Sequence, residues 1–268
     1  MFLTKKSLWK IIILPTLYFL LGTACIVLDI ICWILGLTTP ILLLGILMYL
    51  LTPLVALWVI YAQGKAKLQS AGMKLIYREL KPADFIARYN QIQASPDLIV
   101  NKPSFEVLQL LVIAYEAVGD RERVLALCDQ RIALASKKKK PLAILAKASY
   151  LYIYGDVAQA EDLFAAARSQ KQDVMCQTLT DAILKSDRAM ALGDYATVEA
   201  YTLQMLARKF PKHEPLTLLL LHLQLAEVYE KTQRIEQAIE HYRFCAQNGG
   251  ETVFQRNAQA ALARLEQA

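Results

Sequence analysis

Residues 151–160 read LYIYGDVAQA: an apolar run, then Gly155-Asp156, then a stretch of small and apolar residues. The pair in the middle decides how the chain folds. Glycine enters the left-handed conformation that ends a helix without the steric cost a Cβ brings. Aspartate accepts hydrogen bonds from the free N–H groups that begin the next helix. Gly155-Asp156 therefore predicts a sharp corner between two helices. The same pair recurs at Gly119-Asp120, 36 residues earlier, and at Gly193-Asp194, 38 residues later. A fourth corner is expected near Thr232-Gln233-Arg234, forty residues further on and without a Gly. Every corner lies between apolar helical stretches. The chain thus reads as all-α, and its recurring corners as stacked helix pairs.

These residues resemble the tetratricopeptide repeats, a family of 34-residue helix pairs with small residues where the helices cross. In residues 219–252, Leu225, Ala226 and Tyr229 match the first helix, and Ala238, Tyr242 and Cys245 the second. Residues 141–174 supply Ala148, Gly155, Ala160, Phe164 and Ala167. Residues 105–138 supply Val112, Tyr115, Gly119 and Val124, and residues 179–212 supply Ser186, Gly193, Val198 and Met205. Bulky residues replace Ala at two crossings, and the period exceeds 34. The resemblance implies an α-solenoid of four repeats over 105–252, with 253–268 as a capping helix. Residues 65–104 are expected to hold juxtamembrane helices, 66–80 and 82–93, the second as a degenerate half repeat. Ser95-Pro96 and Lys102-Pro103 are breaks.

The first 64 residues have another character. From 11 to 64 the only charged residue is Asp29. That length fits two membrane spans of about 20 residues each, expected at about 10–36 and 40–62. Gly36 can end one helix and Pro40 open the next, so the loop forces a transmembrane helical hairpin. A re-entrant hairpin fits the same pattern. Lys5, Lys6 and Lys10 precede it, and Lys65, Lys67, Lys74, Arg78 and Lys81 follow it. The positive-inside rule then expects an integral membrane protein, of a bacterial cytoplasmic membrane, with both termini cytoplasmic. Residues 1–81 carry 8 Lys+Arg against 2 Asp+Glu, the rest of the chain 22 against 22. The whole basic excess flanks the hairpin, which points to anionic membrane lipid as a partner and away from nucleic acid. Asp29 carries a cost of a few kcal/mol in hydrocarbon. It is expected to make an intramembrane contact, with Tyr49, Thr52 or a partner's span, or simply to snorkel.

Chemistry-bearing constellations are missing. No glycine-rich phosphate loop and no His-Glu-x-x-His metal motif occurs, and the histidines at 213, 222 and 241 read as surface or structural. The five cysteines at 25, 32, 128, 176 and 245 show no Cys-x-x-Cys spacing and suit packing in a reducing compartment. No enzyme, cofactor or metal is expected. The run Lys137–Lys140 reads as a solvated loop between repeats.

Function is then sought in the groove that the resemblance implies. First-helix positions 2, 5, 9 and 12 of that family face a concave surface. Here they are Glu106, Gln109, Ile113 and Glu116; Leu142, Leu145, Ser149 and Tyr152; Thr180, Ile183, Asp187 and Met190; and Leu220, Leu223, Glu227 and Glu230. The set holds five acids and no Lys or Arg. It implies a protein partner presenting an apolar-basic helix or peptide. The expectation is a membrane-anchored adaptor or assembly factor. The alternative is an accessory subunit of a membrane complex, contacting its partner through the hairpin.

Overall fold

The computed structural model describes residues 16, 20–24, 26–28, 30–31, 34, 51, 54–55, 64, 66–94, 103–170, 173–208 and 214–267. They fall in two compact units, residues 1–67 and 68–268. In the first unit, the described residues are helical. Most of the two expected spans, and Asp29, lie outside the described residues. Among the described residues no helix is long and apolar enough to cross a membrane.

The described residues of the second unit hold helices and turns. After helical residues 68–72, a π-helical segment covers Met73–Arg78. Then come α1 (Pro82–Gln93), α2 (Phe105–Val118), α3 (Arg121–Leu134), α4 (Lys140–Ile153), α5 (Val157–Arg168), α6 (Val174–Lys185), α7 (Asp187–Ala191), α8 (Tyr195–Leu206), α9 (Pro215–Lys231), α10 (Ile235–Asn248) and α11 (Val253–Leu265). Three of these helices have proline in their first turn, where its missing N–H costs nothing. Of the lysine run, 137–139 form a turn and Lys140 opens α4.

The corners share one geometry. Gly119, Gly155 and Gly193 all have positive φ, between +78° and +97°. In each, the N–H after the glycine donates to a carbonyl five residues back: Asp120 to Tyr115, Asp156 to Leu151 and Asp194 to Ala189, all at 2.9 Å. This is the Schellman closure, which satisfies carbonyls that a helix end would leave open. The fourth corner makes the same bond, Arg234 to Tyr229 at 2.8 Å, with Gln233 held at φ +60°. Asp120 and Asp194 cap the next helix through their side chains, accepting from Arg123 and Thr197. Asp156 does not; its carboxylate instead accepts from Arg121 one pair earlier.

Packing repeats with the corners. The fourth residue of each second helix is wholly buried: Val124, Ala160, Val198 and Ala238. Small or branched side chains there let the first helix approach closely. Polar bonds between pairs also recur near the sequence spacing of the corners: Arg121 to Asp156, Tyr150 to Glu116, Arg234 to Glu199 and Arg264 to Glu230. One pair departs from the pattern. Its first helix is broken at Ser186 into α6 and α7. Gln224 donates to the Ser186 hydroxyl at 2.6 Å, which holds the break from the neighbouring α9.

The stack does not stay open. Its two ends meet, and one core gathers Ile76, Phe85 and Leu108 from the first elements with Leu216, Leu225 and Phe254 from the last. The expected cap, α11, packs on α10 and also reaches α2. Arg256 donates to the Val118 carbonyl, 138 positions away in sequence, at 3.0 Å. A second core, Ile144 to Ile183, belongs to α4–α6 in the middle of the chain.

Candidate functional site

A cavity of about 850 Å³ lies among the helix pairs. The ends of α2 and α4, the short α7, and one face each of α9 and α11 line it. Glu116, Tyr152, Asp187, Leu223 and Glu227 meet there, joined by Met190 and Leu220. These seven come from four different helices and were expected on one surface. Leu145 and Ile183 correct that expectation. Both are essentially inaccessible in the middle core. Helix α6 packs on α4, and the two residues fill the interface instead of facing a groove. Glu106, Gln109 and Glu230, also expected on that surface, face other partners. Glu106 is paired with Lys139 at 2.9 Å, and Gln109 accepts from Arg131. Glu230 accepts from Arg264 at 2.6 Å and from the Tyr242 hydroxyl at 2.8 Å.

Acid side chains set the electrostatics of the cavity. Burial raises the Glu116 carboxyl to about 7; the Tyr150 hydroxyl, donating at 2.9 Å, lowers it and nearby Asp187 raises it. Burial likewise raises Asp187 to about 6, opposed by hydroxyl donation from Ser149 and, at 3.0 Å, from Ser186. Glu227 keeps accessible surface, yet the protein around it excludes enough water to raise its carboxyl to about 7, with Glu230 adding and Lys231 opposing. Two carboxylates near one another in low dielectric resist joint ionisation. Among the lining residues, Arg121 is the basic one, and it is paired with Asp156.

A polar track runs beside the acids. Thr202, buried on α8, donates to Gln224 Oε1 at 2.9 Å, and Gln224 Nε2 donates to Ser186. Ser186 and Ser149 then both donate to Asp187. Four side chains, from α4, α8, α9 and the break before α7, thus hold the Asp187 carboxylate in place. The arrangement suits a bound cation with apolar neighbours: fixed acceptors on one side, Leu220, Leu223 and Met190 around them.

No family model matches this chain, and no curated protein or solved structure does either. The site therefore rests on its own geometry. Among the described residues no group of three or more His, Cys, Asp and Glu is placed to hold a metal ion. Cys128 and Cys245 are buried, and burial pushes both thiols up to about 12, far from the reactive thiolate. His222 and His241 face each other across α9 and α10 with Nδ1 atoms 2.8 Å apart, and His222 stacks on Phe244. Burial lowers the pKa of both, which favours the neutral rings that such a bond needs.

Sequence reasoning missed Gln224, Thr202, and the α11 residues Val253, Phe254 and Asn257, which also line or support the cavity. The positional rule that found the acids draws on first helices alone. Nothing local marks α11 as a wall, because it arrives there only when the ends meet.

Proposed function

We propose that this chain is a membrane-anchored, tetratricopeptide-like adaptor that seats an apolar-basic helix or peptide of a cytoplasmic protein partner in the cavity. Residues 1–64 act as the anchor, and 105–252 as four repeats. The observation that carries the reading is the convergence of Glu116, Asp187 and Glu227 on one cavity with Leu220, Leu223 and Met190. A Lys or Arg side chain there meets acceptors already oriented, and its apolar neighbours on a helix meet apolar walls. Charge complementarity of this kind selects partners and speeds encounter more than it adds affinity.

The test is a photo-crosslinking residue at Leu223 of the full-length chain in intact cells. A crosslinked protein is expected whose yield falls at least tenfold with Glu227→Lys, and falls with Glu116→Lys. A yield indifferent to both substitutions overturns the cavity reading. The accessory-subunit alternative makes the opposite forecast: crosslinks from positions within 1–64 persist when the acids are reversed, and vanish when 1–64 is replaced by an unrelated hairpin.

A further inference from the structure

The place where the ends of the stack meet is built from unusual backbone. Leu80 has φ +52° although it is not glycine, and it is buried. A left-handed backbone at such a residue costs on the order of 1–2 kcal/mol and persists only where surrounding structure holds it. What holds it is the turn before α11. The Glu251 N–H donates to the Leu80 carbonyl at 3.0 Å, and Lys81 pairs with Glu251 at 3.8 Å. Gly250, at φ +59°, lies against Leu80 so closely that a Cβ would stand 2.5 Å from the Leu80 Cβ and 3.0 Å from its carbonyl oxygen. Two left-handed turns from opposite ends of the fold are thus locked face to face.

Both sides of the lock are stiff. Lys81 N–H donates to the Leu75 carbonyl at 2.8 Å, closing the π-helical segment, and Ile76 anchors that segment in the shared core. On the other side, the buried Thr252 hydroxyl bonds the Gly249 carbonyl at 2.7 Å, and its oxygen caps α11 by accepting from Gln255. Immediately beyond the cap, Val253 rests on Gly119 and, with Phe254 and Asn257, forms a wall of the cavity. Apart from this lock, the α2 side is secured to α11 by the Arg256 bond and the Val253 contact.

We infer that residues 73–81 form a clasp that, through the 249–252 turn, holds α11 in place as a wall of the cavity and so controls whether the cavity is formed. Eight residues separate the segment from the expected anchor, so whatever displaces it reaches the cavity without touching a lining residue. Coupling of this kind is reciprocal: an occupant that needs the formed cavity must also protect the clasp. That second half rests on the adaptor reading; the first half does not.

The test compares two glycines in the full-length chain. Gly250→Val and Gly155→Val both place a branched side chain at positive φ, but Gly155 has open space around it while Gly250 abuts Leu80. Amide hydrogen exchange across α11 is expected to accelerate at least tenfold in Gly250→Val and to stay near wild type in Gly155→Val. Equal acceleration in both, or none in α11, overturns the clasp. If Gly250→Val does not fold, Gly250→Ala against Gly155→Ala makes the same comparison with one methyl. Crosslinking from Leu223 reads the second half. It is expected to drop with Gly250→Ala and not with Gly193→Ala, at a left-handed corner that is equally open and outside the cavity lining. A wild-type chain that crosslinks to nothing fails the adaptor reading and leaves the exchange result to decide the clasp.

Discussion

The middle of residues 68–268 and its two ends are alike helical, yet their cores are assembled differently. The middle core, with Leu145, Ala148, Phe164 and Ile183, is drawn from about forty consecutive residues. The shared end core joins Ile76 and Phe85 to Phe254 and Ala258, more than 160 positions away. Local cores close cheaply, whereas a distant one must first meet the entropy of bringing its parts together. The difference teaches where specificity lies. Corner geometry makes a helix pair, but a defined cavity needs the long-range closure, since two of its walls, α2 and α11, come from opposite ends.

The largest expected effect bears on that closure. Phe85→Ala removes a wholly buried ring and should cost about 3–5 kcal/mol in urea unfolding. It should also strip exchange protection from α9 and α11 as well as α1. Leu145→Ala should cost about 2–5 kcal/mol and strip protection mainly from α4–α6. Loss confined to α1 in the Phe85 variant would break the comparison. Next come the corners. Gly155→Ala at φ +83° with open surroundings should cost about 1–2 kcal/mol from backbone alone. Gly119→Ala should cost more, because the new methyl meets Val253 at 3.0 Å, a contact between the two ends. Equal costs would mean that contact is slack.

The acids give a pH signature. Glu116 and Asp187 hold protons in the folded state, to about 7 and about 6, that an unfolded chain has released by then. Folded carboxyl values above the unfolded ones mean that stability falls as pH rises from about 4.5 towards 7 and then levels. Glu116→Gln should flatten that slope, measured by urea unfolding at pH 5, 6 and 7; an unchanged slope would remove Glu116 as its source. The smallest effect belongs to the fourth corner. Gln233 occupies, at φ +60°, the place that glycine holds in the other three. Gln233→Gly should stabilise by about 1 kcal/mol or less, the relief of strain partly offset by a freer unfolded chain. A loss of stability would show that the Gln233 side chain contributes packing of its own.

Much of the site was legible one residue at a time. Counting along first helices by the positions that the tetratricopeptide resemblance implies singled out Glu116, Asp187 and Glu227, which the structure brings to one cavity. The same counting misplaced Leu145 and Ile183. It assumed regular pairs, whereas α6 adds a helix that packs over α4. Gln224 and Thr202 gave no signal, since a buried amide and hydroxyl matter only through the partners that the fold brings to them.

By itself, the sequence determined what depends on neighbours in the chain: the all-α character, the left-handed corners at Gly119, Gly155 and Gly193, and the caps that Asp120 and Asp194 supply. It determined too the charge asymmetry between residues 1–81 and the remainder. Those features follow from backbone sterics and from spacings of a few residues. The tertiary structure alone decided that α7 breaks from α6, that Leu80 and Gly250 lock together, and that α11 comes to wall the cavity. Each of these depends on atoms distant in sequence competing for one volume, and no local propensity encodes the winner of that competition.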